Sequence, residues 1–262
     1  MIKKGTGRFF RIGMCVFGLL CTMGPALSET FKVGLYEAPP LVFTKKSTLL
    51  GIYKEIFIEI SKMTSDTFEF DYGSAAHCIK QFNEGKLDIE PGINPVWRHA
   101  EKVSGLYSIP FAKATTVLVG LKPSGEKNKQ QKIATPKKEK KLKIGLVRGY
   151  PYPSLSTYFS EGAWIPVFAD NELALIALLK QKKVDQIVIQ SLVMDFFIHS
   201  TDKKSADRYL ISKPIETQDI MLRVHPDKAS AIPRFNEAIK KLLDSGAIKK
   251  IYNHYGLDEA AP

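Results

Sequence analysis

Five histidines, His77, His99, His199, His225 and His254, are the first residues to test for metal or proton-transfer chemistry. They are scattered, and no two stand at a metal-ligand spacing such as i, i+4. The chain has no phosphate-cradling glycine loop, no nucleophile elbow and no paired-carboxylate motif. Glu37, Glu90 and His99 are the groups that acid–base catalysis could draw on, but strand-end or loop charges explain each equally well. The sequence holds three cysteines. Cys15 and Cys21 fall in the N-terminal leader, and Cys78 sits in an apolar helical pattern that predicts buried filler rather than a nucleophile. The chemistry on offer is therefore recognition, not turnover, and no metal or cofactor is expected.

Charge narrows the partners. The formal net charge is +11, but Lys3, Lys4, Arg8 and Arg11 carry four of these charges. The stretch from Lys122 to Lys143 holds nine lysines against Glu126 and Glu139, which leaves the rest of the chain neutral. Such a block is a solvated segment or a tether to an acidic surface. It contains no aromatic residue for base stacking, so nucleic acid is not an expected partner.

The four basic residues open a secretory leader. The apolar run Ile12 to Leu20 is shorter than the roughly 20 residues of a membrane span. Gly24, Pro25 and Ala26-Leu27-Ser28 follow, predicting cleavage after Ser28, or else after Ala26. Leu20 before Cys21 is a poor match to lipoprotein processing. Residues 1–28 are thus expected to leave, with the mature protein in the periplasm. One remaining thiol forms no internal disulfide, so the fold must rest on its core.

The mature chain alternates strand and helix patterns, which predicts βαβ-built sheets. Phe31 to Leu35 is a strand, with a turn at Pro39-Pro40. Ile52, Ile56 and Ile60 then recur at helical spacing. A strand from Thr67 to Tyr72, a helix from Ala75 to Asn83 and a strand from Leu87 follow. Thr115 to Leu121 reads as an extended connector. Beyond the lysine block come a strand at Leu142 to Val147, a turn at Gly149 to Ser154 and a strand at Trp164 to Phe168. A helix at Asn171 to Lys180 and a strand at Val184 to Ile189 complete this second set. A helix, a turn and a Val/Leu-Asp step into a strand thus occur twice, at Gly85-Lys86-Leu87-Asp88 and Lys182-Lys183-Val184-Asp185. Two similar α/β units imply two lobes with a cleft between them, a preferred place for small ligands. The chain ends with a strand at Ile220 to Val224 and helices at Pro233 to Leu243 and Ala247 to Tyr255.

Several segments, in this order and spacing, carry a resemblance. They are Val33-Gly34 with Pro39-Pro40 and Phe43; Gly51; Gly85-Lys86-Leu87-Asp88; Tyr107-Ser108-Ile109-Pro110-Phe111; and Asp244-Ser245-Gly246-Ala247-Ile248-Lys249-Lys250-Ile251-Tyr252. Together the sequence resembles the family 3 extracellular solute-binding proteins, the polar amino-acid-binding type that serves ABC importers. The resemblance implies an α/β, type II periplasmic binding protein fold of two lobes. Each lobe is a mixed sheet flanked by helices, and a two-strand hinge joins them. The expected boundaries are 29–118 plus 222–262 for lobe one, 119–141 for the hinge strand and lysine-rich loop, and 142–221 for lobe two. The implied function is capture of a small polar, carboxylate-bearing solute by a monomer that hands it to an ABC permease. A sensing module for a membrane receptor is the alternative, and a lyase on the same fold the lesser one.

The resemblance also implies ligand contacts. Arg98, ending Gly92-Ile93-Asn94-Pro95-Val96-Trp97-Arg98, corresponds to the family's carboxylate-gripping arginine, and a guanidinium can donate two parallel hydrogen bonds. The family's threonine is missing here, and the interval to Pro110 is longer. Tyr36, Asn94 and Trp97 would offer a ring, an amide and a floor. In lobe two, Gly149 and Tyr150 occupy the family's Gly-Thr-Thr-like turn, where backbone N–H groups at a helix start can bind an anion. Gln190 stands where amino-acid binders place an aspartate against the α-ammonium. A neutral amide there predicts weak binding of ordinary α-amino acids.

Overall fold

The computed structural model describes residues 28–122, 141–201 and 207–257 of the chain, so the leader and most of the lysine block lie outside the described residues. In chain order the elements are β1 (Thr30–Tyr36), α1 (Ile52–Thr64), β2 (Thr67–Gly73), α2 (Ala75–Asn83), β3 (Ile89–Ile93), β4 (Leu106–Tyr107) and β5 (Ala112–Leu121). They continue with β6 (Leu142–Val147), α3 (Ser156–Ser160), β7 (Trp164–Ala169), α4 (Glu172–Lys180), β8 (Gln186–Gln190) and α5 (Ser191–Thr201). The chain closes with β9 (Tyr209–Ile211), β10 (Glu216–Val224), α6 (Ile232–Asp244) and α7 (Ala247–His254).

The repeated Asp step proves to be a repeated structure. In the first unit β1 lies between β2 and β3, parallel to both. In the second, β6 lies between β7 and β8, again parallel to both. Asp88 accepts the backbone N–H of Lys32 at 2.8 Å, and Asp185 accepts that of Lys143 at 2.7 Å. Each aspartate thereby locks the edge of its strand to the central strand of its unit, satisfying a backbone donor that the ladder leaves over.

Helices cover the sheets through apolar stripes at helical spacing. α1 buries Ile52, Tyr53, Ile56, Phe57 and Ile60, and α6 buries Phe235, Ala238, Ile239 and Leu242. Aromatic rings join these faces, with Phe57 and Phe68 centroids 4.7 Å apart and Phe31 edge-on to Phe235 at 5.1 Å. Cys78 is fully buried, and burial pushes its thiol up to about 12.

Two expected elements differ. Thr115 to Leu121 is not a bare connector: β5 runs from Ala112 and pairs antiparallel with β8, β9 and β10. The strand expected from Ile220 starts at Glu216. Its first half pairs with β5 and its second with β3, with a register shift between Met221 and Leu222. That front half alternates exposed polar residues, and main-chain pairing rather than apolar burial holds it. One sheet around β1 and another around β6 therefore share β10. The helix α5, which buries Val193, Met194 and Ile198, had no place in the sequence reading.

Candidate ligand-binding cleft

The carboxyl ends of β1, β3, β6 and β8 approach one another from the two sheets, where open α/β sheets place ligands. The cleft between them holds about 60 Å³ of free space. Several contacts cross it. Tyr36 and Tyr150 meet edge to face with centroids 5.6 Å apart. Phe43 meets Phe196 at 5.9 Å, and Asn171 Nδ2 donates to Glu37 Oε2 at 3.2 Å.

On the wall of the first sheet, Tyr36, Tyr53, Trp97 and Arg98 line the cleft. Tyr53 packs against Gly92, which is in β3 with φ +73°; a Cβ there would lie 2.0 Å from the Tyr53 hydroxyl. Arg98 ends a short 3-10 turn, Pro95–Arg98, and is only 3% exposed. Its Nη2 is 3.5 Å from Glu90 Oε1, its Nη1 donates to the Trp97 carbonyl at 3.3 Å, and its Nε has no partner among the described residues. The other Glu90 oxygen accepts from Arg223, whose guanidinium also stacks 3.9 Å from the Phe82 ring. Two buried guanidinium groups thus share one carboxylate, leaving one net positive charge. Burial works against the Arg98 cation, but Glu90 and Tyr36 keep it above its usual range.

The opposite wall carries Tyr150, Tyr152, Glu172, Gln190 and Glu216. Glu172 is the first residue of α4, set by the Asn171 cap, whose side chain accepts the Ala174 N–H at 2.8 Å. Only 2% of Glu172 is exposed. Its Oε1 accepts from the Tyr150 hydroxyl at 2.7 Å, whereas its Oε2 has no partner among the described residues. Burial, with a further push from Glu37, raises its carboxyl from 4.5 to about 7 against the opposing Tyr150 bond. Glu216 accepts from the Ser154 hydroxyl.

The structure brings together Tyr36, Trp97, Arg98, Tyr150 and Gln190, but not Asn94 or Gly149. The Asn94 amide is consumed: Nδ2 donates to the Asp219 carbonyl at 2.8 Å and Oδ1 accepts the Val96 N–H at 2.9 Å. It caps the turn that delivers Arg98. Gly149, at φ +87°, lets the turn after β6 approach α2; a Cβ there would sit 3.1 Å from the Ala76 nitrogen. A short 3-10 turn, Pro153–Leu155, begins only beyond Tyr152, and the Tyr150 N–H donates to the Val147 carbonyl at 3.2 Å. The Tyr150 N–H is therefore already engaged. Of the residues offered for catalysis, Glu90 is held by two arginines, and His99 is exposed with Nδ1 2.7 Å from the Val96 carbonyl. Glu172 and Glu216 were missed. A glutamate opening a helix after an asparagine cap is ordinary in sequence, so nothing flagged Glu172.

The model of the bacterial extracellular solute-binding proteins, family 3, matches residues 31–258. The chain belongs to that family. Solved structures agree on the fold. An ancestral arginine-binding protein bound to arginine is 21% identical with TM-score 0.69, covering 86% of this chain and 97% of that one. A periplasmic binding protein of an arginine transport system from Legionella pneumophila is 16% identical with TM-score 0.69, covering 87% and 100%. The GluR0 ligand-binding core from Nostoc punctiforme, in complex with glutamate, is 14% identical with TM-score 0.67, covering 86% and 98%. No curated protein sequence matches the chain. At these identities the neighbours establish the type II periplasmic binding protein fold of this family 3 member, and not its ligand.

Proposed function

We propose that this solute-binding protein captures a small polar, carboxylate-bearing solute between its two sheets for ABC-type uptake. The observation that carries this reading is Arg98: a buried guanidinium in the cleft wall, loosely held by a carboxylate that it shares with Arg223, and with its Nε unpartnered among the described residues. Such a fork is built to receive a planar anion. Tyr36, Tyr150, Trp97 and Gln190 enclose the rest of the solute. The units around β1 and β6 act as lobes that part about β5 and β10. A solute touching both lobes stabilises the closed form by its additional contacts. Export through a cleavable leader, action as a monomer and delivery to a permease complete the proposal. A receptor partner would use the same cleft.

A thermal-shift screen with small carboxylates tests this. A ligand at a hundredfold over its dissociation constant adds about 2.7 kcal/mol of stability. Arg98→Lys keeps the charge but loses the fork, and we expect at least about tenfold weaker binding. If no carboxylate shifts the melting temperature, or if the lysine variant binds equally well, the anchor is lost.

A further inference from the structure

The cleft uses the carboxyl ends of β6 and β8, and the opposite end of the same sheet gathers positive charge. β5 finishes at Leu121 beside the start of β8, where Gly120 pairs with Gln186, and β6 starts alongside at Leu142. The Lys122 N–H donates to the Arg208 carbonyl at 2.9 Å, and the Lys143 carbonyl accepts from the Asp185 N–H at 2.8 Å. Neighbouring strands lie about 4.8 Å apart, so Lys122, Lys143 and Arg208 stand at one end of the molecule. Lys180 closes α4, where a helix C-terminus favours cations, and Lys182 and Lys183 follow it towards β8. Lys141 stands just ahead of β6. All of these cations are exposed except Lys122, which is half-buried. The acids at this end are Glu161, Asp185 and Asp207, and Asp185 already accepts the backbone N–H of Lys143 at 2.7 Å. The lysine block leaves and rejoins the described fold here, at Lys122 and Lys141.

A hollow at the same end is lined by Leu121 and the buried Leu179 and Val184, together with Lys122, Lys182 and Arg208. No aromatic ring lines it, so nucleic-acid bases would find nothing to stack on. Apolar surface beside clustered cations matches an amphiphile with an anionic headgroup. We propose that this end of the second sheet is a docking face for an anionic lipid bilayer, with phospholipid phosphates received by Lys122, Lys182 and Arg208. Clusters of roughly four to eight cations mark anionic-lipid binding, and each cation strengthens it about fivefold. The inference goes beyond solute capture and does not depend on it. Because the cleft lies at the other end of the sheet, a docked molecule leaves it uncovered.

Co-sedimentation of the chain from Glu29 onward with lipid vesicles tests the proposal. Vesicles of phosphatidylcholine with phosphatidylglycerol should retain the protein at least about tenfold better than phosphatidylcholine alone, and raising salt from about 0.05 M to about 0.5 M should abolish the difference. Lys143→Gln, Lys182→Gln and Lys183→Gln combined should weaken retention at least about a hundredfold with the melting temperature unchanged, and arginine at the same positions should preserve it. The same loss of charge on α6 and α7, by Lys240→Gln, Lys249→Gln and Lys250→Gln, should change retention by less than about twofold. If that control loses as much as the first triple variant, net charge alone attracts the vesicles and the docking face is overturned. Equal retention on both kinds of vesicle, or full retention of the first triple variant, overturns it too. Capture of duplex DNA without retention on vesicles would rule out lipid as the partner. None of these outcomes touches the Arg98 reading, which solute binding tests on its own.

Discussion

Glu90 is a buried acid that two guanidinium groups share. Removing its charge leaves the guanidinium groups of Arg98 and Arg223 facing each other with no anion between them. Glu90→Gln should therefore cost roughly 3–5 kcal/mol in urea unfolding, as expected when one partner of a buried ion pair is lost; a loss under about 1 kcal/mol would contradict this account. Glu172 makes the opposite prediction. Its folded carboxyl titrates near 7 against an ordinary 4.5, so the native state binds the extra proton between these values. Stability is then fully present below about pH 4.5, falls as pH rises, and levels off above about 7, by on the order of 3 kcal/mol. Glu172→Gln should remove that slope and raise the melting temperature of the ligand-free protein at pH 8 but not at pH 4.5. Arg98 could be singled out as a cleft candidate in the sequence because a motif surrounds it. Glu172 could not, because its meaning comes from Tyr150 and Tyr36, which are distant in sequence and meet it only in the folded cleft.

At the scale of elements, β3 depends on Gly92. Its positive φ and the Tyr53 hydroxyl leave no room for a side chain. Gly92→Ala should cost at least about 2 kcal/mol and displace Tyr53 from the cleft wall, so that solute binding drops with it. Retention of both stability and binding would show that the wall adapts. Asn171→Ala should remove about 1 kcal/mol through the lost cap, and it also breaks the contact to Glu37 across the cleft. The strand–helix units were legible because Asp88 and Asp185 recur after helical stops at equivalent places, and strand alternation needs little context. β10 was only half legible. Its front half, Glu216 to Asp219, is polar and alternates, so it resembles a loop until β5 supplies its hydrogen bonds. α5 escaped notice because its face must be read against β5 and β8.

At the scale of the molecule, the shared strand β10 and its neighbour β5 are the only paired strands joining the two sheets among the described residues. Bending there lets the shut halves part and rejoin, so with a solute bound the radius of gyration from small-angle scattering should be that of the shut form; an expanded radius with solute would argue against closure over it. The chain has two tryptophans, and only Trp97 lines the cleft. In a Trp164→Phe background its emission should change on solute addition and titrate with the calorimetric affinity.

The tightness of the shut cleft has a kinetic consequence. About 60 Å³ is well below the ~150 Å³ that admits a benzene-sized guest, so a visitor must wait for the Tyr36 and Tyr150 rings to separate. Under stopped flow, the observed rate should bend to a ceiling as concentration rises, and that ceiling is the frequency of spontaneous parting. Apparent affinity is diluted by the fraction of time spent ajar. Trimming Tyr150 to alanine would then lift the ceiling even as it loosens the final grip.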